Sequence, residues 1–344
     1  MKYSFFIVAI ISSCILNAMD NYHIKCNGAS IKPLMQAINS KDGTALNLKH
    51  LEITKDNIIC LSHGGRLYRG ENKSDILLYT VAYVKPYNSS VQSTFSADGN
   101  IIAAREPFGA IQFHYLNDNI TVRMPPIILD SHEKYCNIAL NTDAFAYTPG
   151  NNICYLFPTP SAKVGSTETK GTFSCFPNSE NISVIHYYNN IITLYGRSGT
   201  HSSEIMFCKK VSTGCEDMGT IAFSQEIDKI PLVVWHPSSL YCAFTANNQV
   251  ALANLQDTFS SGEAPIIVND RLVQDDTIQE LFFASAKTLV IVDQKNIHFY
   301  YIDENELKSY PLPVYQYAKW HSLVQQLSLS SGNQILLYQF PQYN

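Results

Sequence analysis

Short apolar runs separated by polar turns recur along this chain. The stretch from Ser93 to Leu116, STFSADGNIIAAREPFGAIQFHYL, contains an apolar run, an Asp-Gly turn, a second apolar run, a loop and an alternating third run. Asp-Gly between two apolar runs favours a tight turn between antiparallel strands. Runs of this length, rich in Ile, Phe and Tyr, are typical of strands rather than helices. The pattern therefore predicts an antiparallel sheet.

The pattern repeats at a nearly constant spacing. Seven residues mark the start of the second apolar run in successive units: Ile58, Ile101, Phe145, Ile191, Leu240, Leu289 and Ile335. Their separations are 43, 44, 46, 49, 49 and 46 residues. A third run and a weaker fourth run follow in most units, the predicted third strand of the first unit being DILLYTV (75–81). Four strands at this period describe one blade of a β-propeller, so we predict an all-β, seven-bladed β-propeller over residues 22–344.

Two segments resemble the WD-repeat family of propellers. They are FSADGNIIAA (95–104), which is followed by AIQFHYL, and VVWHPSSLYCAF (233–244). The resemblance extends from about Lys49 to the end of the chain. It lacks the Trp-Asp and Gly-His pairs that are typical of the family. It implies the propeller architecture and, by analogy, a role in binding other proteins.

The last unit is short, because the chain ends soon after NQILLYQF (333–340). An incomplete last blade would leave a sheet edge exposed, and a closed propeller protects its edges. Three N-terminal segments can supply the absent outer strands: YHIKC (22–26), IKPLMQ (31–36) and ALNLKH (45–50). We therefore predict that N-terminal strands complete the last blade.

The first eighteen residues, MKYSFFIVAIISSCILNA, have the form of a secretory signal peptide. Lys2 precedes an apolar run that is too short to span a bilayer as a helix, and small residues lead to a cleavage site after Ala18. An alternative is a bacterial lipoprotein signal, in which Cys14 would carry a lipid anchor. Both interpretations predict an exported protein, secreted or periplasmic, and no later segment is long and apolar enough to span a membrane.

Charge and short motifs disfavour several classes of function. The chain has 24 basic and 29 acidic residues, a formal net charge of −5, and nucleic-acid binding is disfavoured because DNA affinity depends on neutralising phosphates. SHGGRL (62–67) is similar to part of an esterase site, but no nucleophile elbow accompanies it. No Cys-x-x-Cys pair or His-Glu-x-x-His motif occurs, so we predict no metal and no cofactor and assign no catalytic residue.

Arginine and aromatic residues concentrate in three segments predicted as loops between second and third strands, 63–74, 105–110 and 195–204. In a propeller these loops open on one face of the disc, and here they contain four of the six arginines of the chain. Arginine with aromatic residues is typical of protein interfaces, and guanidinium groups bind carboxylates and phosphates well. We predict a partner-binding surface formed by Arg66, Arg69, Arg105, Arg197, His63, Tyr68, Phe108 and His201.

Eight cysteines remain if the leader is removed after Ala18. In an exported protein an even number permits disulfides. The predicted strand positions make Cys154 with Cys175, and Cys208 with Cys215, the candidate pairs. Buried free thiols are the alternative.

These observations favour a non-catalytic, exported scaffold that binds a protein partner through the Arg-bearing face. The alternative is a propeller hydrolase or lyase acting on an anionic sugar or peptide, because propeller active sites assemble from separate blades and leave little local signal. The sequence makes no prediction of the oligomeric state.

Overall fold

The structure is a computed structural model that describes part of the chain. This part comprises residues 22–41, 46, 48–62, 66–71, 76–83, 93–96, 99–105, 110–118, 120–124, 136–141, 143–149, 154–160, 180–188, 190–198, 202–211, 214–223, 231–236, 241–246, 249–255, 258, 260, 266–268, 278–331 and 334–341. The predicted leader, with Cys14 and Ala18, lies outside these residues.

Within the described residues the chain forms 29 strands, of which 27 belong to the blades of a propeller. The first three strands are β1 (Ile24–Cys26), β2 (Ala29–Ile31) and β3 (Pro33–Ser40). Blade 1 contains β4 (Leu48–Ile53), β5 (Asn57–Ser62), β6 (Arg66–Glu71) and β7 (Ile76–Tyr83). Blade 2 contains β8 (Ser93–Phe95), β9 (Ile101–Arg105), β10 (Ile111–Tyr115) and β11 (Ile120–Met124), and blade 3 contains β12 (Cys136–Leu140), β13 (Ala144–Pro149) and β14 (Tyr155–Pro158).

The remaining blades follow in chain order. Blade 4 contains β15 (Glu180–Tyr188), β16 (Ile191–Ser198), β17 (Ser202–Val211) and β18 (Gly214–Phe223), and blade 5 contains β19 (Val233–Trp235), β20 (Tyr241–Ala246), β21 (Gln249–Asn254) and β22 (Ile266–Ile267). Blade 6 contains β23 (Ile278–Ser285), β24 (Thr288–Asp293), β25 (Asn296–Tyr301) and β26 (Glu306–Pro311). Blade 7 contains β27 (Tyr317–His321), β28 (Gln326–Ser331) and β29 (Gln334–Gln339), and its fourth strand is β3. The predicted seven-bladed all-β fold is confirmed.

The hydrophobic core is divided among the spaces between adjacent blades. Each blade is a sheet with two apolar faces, and seven separate clusters of buried residues fill the seven interfaces. Aromatic rings cross several of them: Phe113 of blade 2 lies 5.0 Å from Phe145 of blade 3, between ring centroids, and Phe282 of blade 6 stacks on Trp320 of blade 7 at 3.9 Å. A blade without neighbours would expose both faces, so the repeats stabilise one another only as a ring.

The N-terminal strand β3 closes the ring. Its first half pairs antiparallel with β29, from Pro33 opposite Tyr338 to Ala37 opposite Gln334. Its second half continues past blade 7 and pairs in parallel with β7, with Ile38 opposite Ile76. One strand therefore completes the last blade and joins it to the first, which confirms the predicted closure by an N-terminal strand.

The hairpin of β1 and β2 adds a contact at the neighbouring interface, between blades 6 and 7. Its turn, Asn27-Gly28, has φ values of 49° and 81°, the left-handed region that Asn and Gly tolerate. Ile24, Cys26 and Ile31 are buried in the cluster between blades 6 and 7. The hairpin therefore covers the interface of blades 6 and 7, next to the interface that β3 closes.

Three details of the predicted repeat are wrong. In blade 1 the third strand is RLYRGE, β6, and residues 76–81 of the predicted third strand DILLYTV lie in β7, the fourth. In blade 7 the marker Ile335 lies in β29, the third strand, because β28 is the second. The N-terminus therefore supplies one strand of that blade, and the last three residues of ALNLKH belong instead to β4, the innermost strand of blade 1.

No helix in the described residues is long and apolar enough to cross a membrane.

Candidate binding face and central channel

The strand order decides which turns share a side of the disc. Strands in each blade run antiparallel from the centre outwards, so first-to-second and third-to-fourth turns lie on one side and second-to-third turns on the other. We call the first side the upper face and the second side the lower face. On the upper face the first-to-second turns of blades 1, 2 and 7 meet, since Gly99 lies beside Thr54 and Leu323.

Three of the predicted binding residues lie at lower-face ends of strands. Arg66 begins β6, where its backbone N–H donates to Ser62 Oγ at 3.0 Å, and its side chain is half-buried. Arg105 ends β9 opposite Ile111, and Arg197 lies near the end of β16 opposite Ser203. The backbone therefore places three arginines, from blades 1, 2 and 4, on the same face.

Two other predicted residues lie elsewhere. Arg69 donates from Nε to Asn57 Oδ1 at 3.0 Å, and from a terminal nitrogen to the backbone carbonyl of Leu116, which lies in an upper-face turn of blade 2. Tyr68 is buried, with 2% of its surface exposed. Both residues lie in the strand β6, which was predicted as a loop, and the side chain of Arg69 links blade 1 to blade 2.

The other three residues of the predicted surface, His63, Phe108 and His201, lie outside the described residues. The partner-binding surface as a whole therefore stays a prediction, and Arg66, Arg105 and Arg197 are its structural basis.

A group of ionisable residues that the sequence analysis did not single out lies on the innermost strands around the central channel. Lys319 of β27 extends its Nζ to 3.5 Å from Glu280 Oε2 of β23. Glu280 is itself held by two backbone N–H donors, Leu281 at 3.2 Å and Trp320 at 3.1 Å. A carboxylate fixed in this way positions the ammonium group on the channel wall.

His321, next along β27, links blade 7 to blade 1. Its Nδ1 accepts the backbone N–H of Ile53 at 3.0 Å, so the ring proton is on Nε2, which donates to Ser328 Oγ at 2.8 Å. Glu52 Oε1 lies 3.4 Å from the same Nδ1 and contributes a further carboxylate near the channel.

The channel environment shifts the pKa of several of these groups. The carboxylate of Glu280 raises the pKa of Lys319 well above its usual range, with further contributions from Tyr317 and Glu52, so Lys319 stays charged. Burial, assisted by the positive charge of Lys319, lowers the pKa of His186 on β15 to about 4. The sequence signal for this group is a charged residue inside an otherwise apolar innermost strand, as with Lys319 in YAKWH and Glu280 in IQELFF.

Of the four cysteines predicted to pair, Cys154, Cys208 and Cys215 lie near one another and are free thiols in this structure. Cys154 and Cys208 are buried between blades 3 and 4, and Cys215 packs against the same cluster. Cys208 lies opposite Asp217 and Cys215 opposite Lys210, so the two thiols are diagonal across β17 and β18. Burial raises the pKa of Cys215 to about 11. Both predicted disulfides stay predictions, because Cys175 lies outside the described residues and diagonal pairs are rarely close enough to bond without movement.

Among the described residues, no group of three or more His, Cys, Asp or Glu side chains is arranged to hold a metal ion.

Comparison with known proteins shows the fold. No protein-family model matches the chain, and no curated protein matches it. Among solved structures, it resembles a chain in the crystal structure of a mitotic checkpoint complex with a TM-score of 0.61 and 12% sequence identity, over 86% of this chain and 90% of that chain. A likeness at this identity concerns the architecture, so membership of the WD-repeat family stays a prediction.

Proposed function

We propose that the chain is a non-catalytic, exported scaffold that binds a protein partner through the lower face. The observation that supports this most directly is the position of Arg66, Arg105 and Arg197 at the lower-face ends of strands in three different blades. Strands hydrogen-bonded on both sides hold their ends in fixed positions, which lowers the entropy lost on binding.

The chemistry of these residues favours an anionic partner surface. Guanidinium groups bind carboxylates and phosphates through paired hydrogen bonds, and arginine is enriched where interfaces contribute most to affinity. The chain as a whole carries a formal charge of −5, and three of its six arginines lie at the lower-face ends of strands. The similar solved chain is part of a mitotic checkpoint complex, which agrees with a role in assembly.

Export is proposed from the leader alone. Cleavage after Ala18 would give a mature protein that starts at Met19, whereas a lipoprotein signal would give one that starts at a lipidated Cys14. Protein purified from its source for the experiment below separates the two by the mass of its N-terminal peptide.

The binding face is tested with a triple substitution. Arg66→Ala, Arg105→Ala and Arg197→Ala are combined, and immobilised wild-type and variant proteins are used to capture partners from the extracellular or periplasmic fraction of the source. We expect the proteins retained by the wild type to be lost from the variant, because each arginine removed at such a site costs roughly 1–2 kcal/mol or more of binding free energy. Thermal unfolding should shift by only a few degrees, since the substitutions are at strand ends.

A matched variant removes three cations from the upper face. Lys55, Lys209 and Lys287 are exposed and lie in or beside upper-face turns of blades 1, 4 and 6. Their replacement by Ala changes the net charge equally and should leave capture intact. Equal capture by the arginine variant and the wild type would contradict the proposed face, and loss in both variants would show a nonspecific charge effect instead.

The channel group favours the alternative function, a hydrolase or lyase acting on an anionic substrate. A neutral His186 and a protonated Lys319 on facing innermost strands are chemically able to act as base and electrostatic stabiliser. The salt bridge of Lys319 with Glu280 makes a structural role the simpler account of the same residues. If His186→Gln and Lys319→Met leave partner capture unchanged while abolishing a hydrolytic activity of the purified protein, the alternative is supported.

A further inference from the structure

In blade 6 a carboxylate, an imidazole and a hydroxyl group are connected in series by two hydrogen bonds. Asp293 Oδ2 lies 2.7 Å from His298 Nε2, and His298 Nδ1 lies 2.7 Å from Ser309 Oγ. His298 is on β25, directly opposite Ser309 on the outermost strand β26, and Asp293 ends β24. The three groups therefore come from three adjacent strands of one sheet.

The acid at one end of this series is firmly positioned. Asp293 Oδ1 accepts the backbone N–H groups of Lys295 at 2.8 Å and Asn296 at 2.7 Å, and the hydroxyl of Tyr315 donates to its backbone carbonyl. Burial alone would raise the pKa of Asp293, but the hydrogen bonds from His298 and from these two amides more than offset it and lower the pKa below its usual value. Asp293 is thus a carboxylate at neutral pH.

The ionised acid decides the tautomer of the histidine. A carboxylate only accepts hydrogen bonds, so His298 Nε2 carries the ring proton and donates it to Asp293. Nδ1 then has a lone pair and accepts the hydroxyl proton of Ser309. An acid and a histidine activate a serine as a nucleophile in this way in the Ser-His-Asp triad. In that triad the acid bonds Nδ1 and the serine bonds Nε2, whereas here the acid bonds Nε2 and the serine bonds Nδ1.

Two other pairs of a histidine and a hydroxyl group, among the described residues, each lack a feature that this series has. His321 Nε2 also bonds a serine, Ser328, but that serine is fully buried and the histidine is the donor. His114 Nδ1 bonds the exposed Thr121 at 2.8 Å, but its Nε2 is buried with no hydrogen-bond partner among the described residues. Ser309, in contrast, is exposed to solvent and has both the imidazole and the acid behind it.

We propose that Ser309 is a nucleophilic serine on the rim of the disc that becomes covalently modified by activated acyl or phosphoryl esters. Ser309 Oγ attacks the electrophilic carbon or phosphorus while its proton passes to His298 Nδ1, and the bond to the leaving group breaks. The leaving group departs with its electron pair and takes the proton back from His298. The product is an ester of Ser309, and this site is separate from the arginines of the lower face and from the channel.

The experiment uses the full mature protein and a fluorophosphonate probe, whose P–F bond breaks with release of fluoride. Labelled peptides are identified by mass spectrometry. We expect Ser309 to be labelled at least about 100-fold faster than the exposed serines Ser322 and Ser331, the usual minimum effect of a positioned general base.

Two variants and one comparator decide the result. Ser309→Ala, an exposed substitution that should not disturb folding, should abolish the fast label, and Asp293→Asn, with its fold checked by circular dichroism, should slow it. Thr121, which has a histidine but no acid, should stay unlabelled. Equal labelling of all exposed serines, label that persists in Ser309→Ala, or a folded Asp293→Asn variant labelled at the wild-type rate would overturn the proposal. A site that reacts only after heat denaturation would overturn it too.

Discussion

Single residues fix the turns of the upper face. At the predicted turn of blade 2, the N–H of Gly99 donates to the carbonyl of Ser96 at 2.9 Å. Gly99 has a φ of +68°, and a Cβ at this position would lie 2.7 Å from Thr54 Cγ2 and 3.4 Å from Leu323 Cδ1. Thr54 is β-branched and stiff, so it cannot easily move away. Gly99 is therefore required both by its backbone conformation and by its neighbours.

The substitution Gly99→Ala should destabilise the protein by about 2–4 kcal/mol, because the cost of the left-handed conformation adds to that of overpacking. Thermal or urea unfolding measures this loss.

Gly28→Ala is the matched control. Gly28 also has a positive φ, of 81°, but nothing lies within 4 Å of its missing Cβ. Its substitution should cost only the conformational part, about 1–2 kcal/mol. Equal losses in the two variants would show that the contact with Thr54 does not matter.

The innermost strands pack the core between blades and also contain interacting ionisable residues. Their apolar residues pack between blades, whereas the positive charge of Lys319 on β27 helps burial to lower the pKa of His186 on β15. A neutral His186 in the folded state has a consequence for the pH dependence of stability, because the unfolded chain protonates its histidines at a higher pH.

The sign of this effect follows from the two pKa values. His186 has a pKa of about 4 when folded and about 6.5 when unfolded, so between these pH values the unfolded chain binds the extra proton. Stability should therefore fall as the pH is lowered from about 6.5 to about 4, with an upper limit of about 3 kcal/mol from this residue. His186→Gln should flatten that part of the curve in urea unfolding at a series of pH values.

Lys319→Met provides an independent check on the cause. Without the nearby positive charge, the pKa of His186 should rise, as measured by NMR titration of its ring protons. An unchanged pKa in this variant would leave burial as the whole explanation and would contradict the interaction across the channel.

The elements that the sequence did not predict share a physical cause, which is that their polar residues are paired with groups distant in the chain. In RLYRGE the residues Leu67 and Tyr68 are buried, and Arg69 donates to the backbone carbonyl of Leu116 in the next blade. The sequence does not show this distant partner, so its polar residues predict a loop. In QLSLSS the residues Ser328 and Ser330 are buried, and the hydroxyl of Ser328 bonds His321. Because Leu and Ser alternate in this segment, the pattern did not predict a core strand. The next strand, β29, was therefore predicted as the second strand of blade 7 although it is the third.

For the whole molecule, the period of the repeat was sufficient to predict the ring, because each blade must bury both faces against neighbours. Less of the candidate site could be predicted from the sequence. Arg66, Arg105 and Arg197 could be assigned to one face from strand counting, since their position in the blade depends only on the local order of strands. The channel group and the series of Asp293, His298 and Ser309 depend on which strands become neighbours, which a single sequence leaves open.

Ring closure gives the prediction that belongs to the whole molecule. A chain of residues 32–344 lacks the hairpin of β1 and β2 but keeps β3, and a chain of residues 41–344 lacks both. The first should be less stable, because Ile24, Cys26 and Ile31 no longer bury their side chains, but it should stay monomeric. The second should also self-associate, because the edges of β29 and β7 lose their partner strand. Light scattering and thermal unfolding measure the two effects.

A peptide of residues 32–41 added to the 41–344 chain should restore the monomer, because it can occupy the groove between β29 and β7 and supply the hydrogen bonds of both edges. The same peptide with Ile38→Asp should fail, since Ile38 is fully buried in the cluster between blades 7 and 1. If the 41–344 chain is monomeric and melts at the same temperature as the 32–344 chain, β3 does not hold the ring together. Packing between the faces of blades 7 and 1 would then be sufficient for closure.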